Sequence, residues 1–186
     1  VVCWGALRGR SELSAPLVIA HRAGATHAPE TSLSALDLAI EQGADAAEID
    51  VQRTADGVVV VTHDADLMRA AGDPRVVSKT RSADLAGVDI GSTFSREFAG
   101  EPLPTLQAFL DRARDRIRLV IELKYDGGDP KLVPAVVQLV RDADMADQAD
   151  LMSLDLAGVH QARAAAPEMP AGYLATVTVG DLARLD

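Results

Sequence analysis

Glu48 and Asp50 stand two residues apart in AAEIDVQ, a segment whose other residues are mostly apolar and which reads as a β-strand. Side chains at i and i+2 of a strand point to one face, so the two carboxylates share it at close quarters. Two like charges held that way need a cation, a shared proton or open water. A third carboxylate, Glu122, lies near the end of a second such run, IRLVIEL, and Lys124 follows two positions on. Glu48, Asp50 and Glu122 make an all-oxygen donor set, which suits Ca²⁺ or Mg²⁺ better than zinc. His21 follows LVIA and His63 follows GVVVVT. Two imidazoles at strand ends can work as general acid and general base near neutral pH, the pairing needed when one oxygen is deprotonated and another leaves. Beside them, Arg22 can fork onto two oxyanions and Lys124 can supply a point charge. Metal, Arg and Lys together read as a trap for phosphate.

The elements that must position these residues alternate between short apolar runs and amphipathic windows. Strands are expected at 17–21, 46–52, 57–62, 117–123, 149–154 and 171–177. Helices are expected at 32–42, 104–115, 130–145 and 156–166, with a short turn at SADLAG. Thr31 or Ser32, Ser82, and Asp129 ahead of Pro130 supply cap chemistry for three of the starts. Strand and helix in strict alternation argue a parallel α/β sheet. Each polar group then falls at or just past the carboxyl end of a parallel strand, where α/β barrels and open α/β sheets both build their active sites. Residues 64–103 break the rhythm and read as a loop or small insertion, of the kind that often forms a lid. Asp56-Gly57 reads as a tight turn between strands. His27 and His160 read as structural or surface histidines.

The 186 residues, 48% of them hydrophobic, are enough for one sizeable core, so one domain is expected at 17–186 behind a tail or linker at 1–16. The net charge of −10 and the lack of a basic cluster argue against nucleic acid as a partner. An acidic chain also repels an anionic substrate, so metal, Arg22 and Lys124 must reverse the field locally. Cys3 is the single cysteine, which excludes an intrachain disulfide and leaves the compartment unassigned. No apolar run reaches the roughly 18 to 20 residues of a membrane span, and VVCWGALRGR is too short for a signal sequence.

The segments IAHRAGATHAPETSLSAL, GADAAEIDVQRTADGVVVVTHDADLMR, LPTLQAFL and LVIELK resemble, in order and spacing, the glycerophosphodiester phosphodiesterases. That resemblance runs from about residue 17 to 154, and more weakly to 177. It implies a TIM (β/α)8 barrel that hydrolyses small-molecule glycerophosphodiesters to glycerol 3-phosphate and an alcohol with one divalent cation, Ca²⁺ or Mg²⁺. By motif position it makes His21 and His63 the acid and base pair and Glu48, Asp50 and Glu122 the metal ligands. Arg22 and Lys124 become the phosphate contacts, and Glu30 a neighbour of the site. The family's HRG is HRA here, with Ala23 in the glycine position, and its PEN is PET, with Thr31 in place of Asn. About six of the eight barrel strands are expected in this chain, with the remainder supplied by a longer parent. Because the family includes members fused behind membrane-spanning segments, a membrane tether in such a parent is a further expectation. A noncatalytic ligand-binding or regulatory barrel and a lysophospholipase D-like phosphodiesterase are the competing readings. A mere binder, however, has no use for a histidine pair.

Overall fold

The computed structural model describes residues 17–125 and 129–175. The expected tail at 1–16, Cys3, and the last part of the expected strand at 171–177 lie outside the described residues. Six strands form the main sheet: β1 (Ile19–Ala20), β2 (Ala46–Arg53), β3 (Val59–Val61), β6 (Arg118–Leu123), β7 (Ala149–Ser153) and β8 (Ala171–Tyr173). Five of them are parallel and lie side by side in the order β1-β2-β6-β7-β8, which is also their order in the chain. Doubly wound sheets reverse strand order at a switch point, whereas a barrel is wound in one direction, so this arc has the barrel's order. Among the described residues β1 and β8 do not pair with each other.

The third strand departs from expectation. β3 runs antiparallel to β2, with Val51 opposite Val61 and Arg53 opposite Val59, so strand and helix do not alternate strictly. The cause is the connection, residues 54–58, closed by Gly57 N–H donating to the Thr54 carbonyl and by Val58 N–H donating to the Thr54 hydroxyl. Gly57 sits at φ +96°, a turn geometry that a residue with a Cβ resists. Five residues can fold a chain back but cannot cross over a sheet to lay down a parallel neighbour. β1 and β3 consequently share one edge of β2: β1 covers Ala46 and Ala47, and β3 takes over from Val51 to Arg53.

Four helices cover the outer face of the sheet: α1 (Leu33–Glu41), α4 (Leu106–Ala113), α5 (Leu132–Asp142) and α6 (Leu156–Ala165). Their apolar faces close on Ile49, Val51, Leu119, Ile121 and Leu151 to form the principal core, in which Leu36, Phe109 and Leu110 are completely buried. Ser32 caps α1 through a hydrogen bond from Ala35 N–H, Thr105 caps α4 from Ala108 N–H, and Asp155 caps α6 from Ala157 N–H. α5 starts two residues later than the Asp129-Pro130 signal indicated; Asp129 instead accepts from Lys131 N–H and pairs with Arg53. Ser82 is the first residue of its helix rather than the cap, and its N–H and hydroxyl both donate to Asp56.

Residues 64–103 contain a two-stranded sheet, β4 (Asp66–Leu67) with β5 (Asp73–Val76), and the one-turn helices α2 (Met68–Ala71) and α3 (Ser82–Leu85). Leu67, Val77, Leu85, Val88 and Ile90 form a second small core that packs on Val60 of β3. Gly91 allows the segment to fold onto itself: a Cβ there would lie 1.8 Å from the Phe98 carbonyl oxygen. No helix among the described residues is long and apolar enough to cross a membrane.

Candidate active site

The parallel register of β2 and β6 sets Asp50 beside Glu122 and Glu48 beside Val120. Partners in a parallel pair point the same way, so the inner face of the sheet carries a column of acids above an apolar patch of Ala46, Val120 and Met152. Glu48, Asp50 and Glu122 are all buried, and one oxygen from each lies within 4.8 Å of the others. Lys124 Nζ sits 2.7 Å from Glu122 Oε1 and 2.9 Å from Asp50 Oδ1. The contact with Glu122 is a hydrogen bond and that with Asp50 an ion pair; beyond Lys124 no donor reaches either of the two buried Asp50 oxygens. Buried carboxylate oxygens in an all-oxygen cluster fit a hard divalent cation.

The electrostatics agree with that crowding. Burial, reinforced by the charge of Asp50, pushes the Glu48 carboxyl up to about 7. Burial also raises Glu122, against the opposing hydrogen bond from Lys124. Burial alone would lower Lys124, but the Glu122 hydrogen bond and the Asp50 charge outweigh it and hold the ammonium above its ordinary value.

His21 and His63 reach this cluster from opposite directions. His21 leaves the end of β1 in a 3-10 turn, His21–Ala23, while His63 follows β3, which returns along the same edge of β2. His21 Nε2 lies 3.9 Å from Glu48 Oε2, and its ring keeps 73% of its surface in water. Partial desolvation and then the Arg22 charge lower its pKa. His63 Nδ1 is 2.6 Å from Asp64 Oδ1. The Gln52 side-chain amide, two positions beyond Asp50, donates to the backbone carbonyls of Thr62, His63 and Asp64 and fixes the turn that carries the ring.

The loop after β1 is tightly wound. Arg22, Ala23 and Thr31 have φ of +50°, +59° and +55°. This winding aims the Arg22 backbone N–H at Glu48 Oε2, 2.8 Å away, and lets the Arg22 carbonyl accept from Thr31 N–H at 2.9 Å. Left-handed backbone costs L-residues about 1–2 kcal/mol each, so the positions of Ala23 and Thr31 are ones that glycine and asparagine suit. Ala23 is fully buried, and its methyl packs in the core, which offsets the strain. Thr31 is β-branched; it too is buried, with its hydroxyl donating to the Glu30 carbonyl at 2.7 Å, but asparagine adopts this backbone more readily. Thr31→Asn is expected to stabilise the protein by about 1 kcal/mol and raise Tm by roughly 2–4 °C. A melting curve in which the variant is no more stable than the parent would contradict the strain assigned to Thr31.

Arg22 Nη1 donates to Glu30 Oε2 at 2.9 Å, while its Nε is buried without a partner. Glu30 in turn is held by both terminal nitrogens of Arg69, at 2.6 and 2.7 Å. Those two hydrogen bonds and the pair with Arg22 overcome burial and keep Glu30 below the usual carboxylate range. A cleft of about 210 Å³, lined by Ala25, Pro29, Glu30, Arg69, Ile90 and Phe94, opens beside the pair. Glu48, Asp50 and Glu122 are not among the residues that line it. His27 and His160 are exposed, and their side chains make no hydrogen bond or ion pair among the described residues. Gln52 and Arg69 were not legible as site residues in the sequence: Arg69 meets Glu30 across 39 positions and Asp64 across five, and neither interval is a helix or strand period. The adjacency of His63 and Asp64 was the one available signal for Asp64.

Residues 21–183 match the model of the glycerophosphoryl diester phosphodiesterase family. The chain belongs to that family. It is 32% identical over 164 residues to a glycerophosphodiester phosphodiesterase of Caldanaerobacter subterraneus, covering 85% of this chain and 66% of the relative. A crystal structure of a glycerophosphodiester phosphodiesterase from Agrobacterium tumefaciens superposes with a TM-score of 0.76 at 35% identity, covering 83% of this chain and 65% of that one. A phosphodiesterase from Oleispira antarctica, solved with its product sn-glycerol-3-phosphate, superposes with a TM-score of 0.81 at 33% identity, covering 85% of this chain and 65% of that one. The chain thus spans about two thirds of the length of these relatives.

Proposed function

We propose that this family member contributes the active site of a divalent-metal-dependent hydrolase that converts glycerophosphodiesters to glycerol 3-phosphate and an alcohol. The observation that carries the reading is the buried Asp50 carboxylate gathered with Glu48 and Glu122, with His21 3.9 Å from Glu48 and the charge of His63 acting on Glu122. The product complex of the Oleispira antarctica relative supports the substrate class.

Glu48, Asp50 and Glu122 would hold the cation, Ca²⁺ or Mg²⁺, which supplies charge stabilisation at the phosphoryl oxygens. Arg22 offers its buried, unpartnered Nε–H to a phosphoryl oxygen, and Lys124 adds a point charge at the same place. His21 and His63 divide the proton transfers: one takes the proton of the attacking water, and the other protonates the departing alkoxide. Net, one P–O bond to the alcohol breaks, one P–O bond to water oxygen forms, and the water proton ends on the alcohol. Residues 64–103 serve as an insertion that walls one side of the rim through Arg69 and Phe94.

The test is turnover by the full-length protein of glycerophosphocholine and of lysophosphatidylcholine, each with Ca²⁺, with Mg²⁺ and after exhaustive chelation. Metal-dependent release of choline from glycerophosphocholine is expected. Preference for the lysolipid would move the assignment to a lysophospholipase D, and full activity after chelation would remove the metal from it.

A further inference from the structure

We propose that Arg69, on the insertion, is a positioning residue that orients His63 through Asp64. The inference rests on the reading of His63 as a proton-transfer group. Arg69 Nε donates to Asp64 Oδ2 at 2.6 Å, and Asp64 Oδ1 lies 2.6 Å from His63 Nδ1. The other two nitrogens of the same guanidinium hold both oxygens of Glu30, which shares Oε2 with Arg22. One planar cation therefore fixes two carboxylates, one beside each of the residues that would act on the phosphate. Asp64 cannot swing away from the imidazole while Arg69 holds its second oxygen, and with Nδ1–H donated to Asp64 the free lone pair of neutral His63 is on Nε2.

Stability is a poor explanation for this arrangement. The Arg69 side chain is 48% exposed and that of Asp64 34%, and ion pairs so close to water contribute only about 0–1 kcal/mol. Three charge-assisted hydrogen bonds on one half-exposed guanidinium make better sense as geometry control. The arrangement has the nucleophile–base–orienter logic of other acid–base sites, extended by one link. Placing that last link on α2 makes the insertion part of the proton-transfer apparatus, since the segment that walls the cleft also sets the ring.

The full-length protein carrying Arg69→Gln is expected to lose about 10- to 100-fold in kcat, the usual scale for removing an orienting partner, with KM changed much less. Asp64→Asn, which is isosteric, should reproduce the loss even where Arg69→Gln loosens the fold. Imidazole nitrogen NMR supplies a readout that a merely structural role does not move: neutral His63 is expected as the Nδ1–H tautomer in the parent and as a mixture with Nε2–H in both variants. In the His63→Ala background, Asp64→Asn, which leaves Glu30 and Arg22 untouched, should cost little more, because its effect runs through the missing ring. Retention of the parent tautomer in both variants, or an undiminished penalty in the His63→Ala background, overturns the proposal. Near-parental kcat in His63→Ala itself would instead overturn the assignment of His63 on which the proposal rests.

Discussion

Asp50→Asn is expected to lower metal-dependent turnover by at least about 10²-fold and to flatten the pH dependence of the metal-free protein's stability. Asp50 is 1% exposed, faces Glu48 and Glu122, and has no donor beyond Lys124 on either oxygen. With a divalent cation present those oxygens are ligands; without one, Asp50 faces two carboxylates with Lys124 Nζ, 2.9 Å from its Oδ1, as the opposing charge. Removing the charge therefore takes away a ligand in one state, and in the other both the repulsion felt by Glu48 and Glu122 and the ion pair with Lys124. The Glu48 carboxyl reports burial and repulsion together, since it is raised from 4.5 to about 7, first by burial and next by Asp50. A folded-state pKa above the unfolded value stabilises the fold fully below pH 4.5, and that stabilisation is lost as pH rises through 7. At 1.36 kcal/mol per unit, the shift corresponds to at most about 3 kcal/mol. The metal-free parent should accordingly melt higher at pH 5.5 than at pH 8, and added Ca²⁺ or Mg²⁺ should raise Tm more at pH 8, where no proton competes. Asp50→Asn should flatten the pH dependence, cancel the metal-induced rise, and lower kcat/KM by at least about 10²-fold, the scale of losing one preorganised charge stabiliser. A variant that still gains Tm with metal and still turns over would show that the cation, if any, binds elsewhere.

His21→Ala and His63→Ala are each expected to lower kcat by about 10²- to 10⁴-fold, the range for a positioned general acid or base. Both rings lie where removal does little to the fold: His21 is mostly in water and His63 is about one third exposed. Melting temperatures should therefore stay near the parental value, which separates lost chemistry from lost structure. Because both groups act on a single proton-transfer sequence, the double variant should fall far short of the product of the two single losses. The pH–rate profile offers a second check, since removing one partner should erase one limb of a bell-shaped curve and leave the other. A single variant with near-parental kcat would remove that histidine from the mechanism.

The acids were legible because a strand has a two-residue period: Glu48 and Asp50 must share a face wherever the strand goes. The apolar, β-branched strands and the capped helices were legible for the same local reason, and the ordered motifs carried the family and its barrel. What sequence could not supply was anything set by the alignment of one element on another. The register that places Glu122 beside Asp50 is a property of two strands 72 positions apart. The direction of β3 was misread as parallel, although the five-residue link after Arg53 already excluded a crossover. That reversal is what lets β1 and β3 share one edge of β2 and brings His21 and His63 to the same carboxylates from opposite ends. The contacts of Arg69 and Gln52 and the left-handed backbone at Thr31 followed only from the tertiary structure, whereas Ala23 in the family's glycine position already pointed to a positive φ. Periodicity is encoded residue by residue, whereas register, strand direction and long-range ion pairs are decided by which packed arrangement buries the apolar faces and leaves the fewest polar groups without partners.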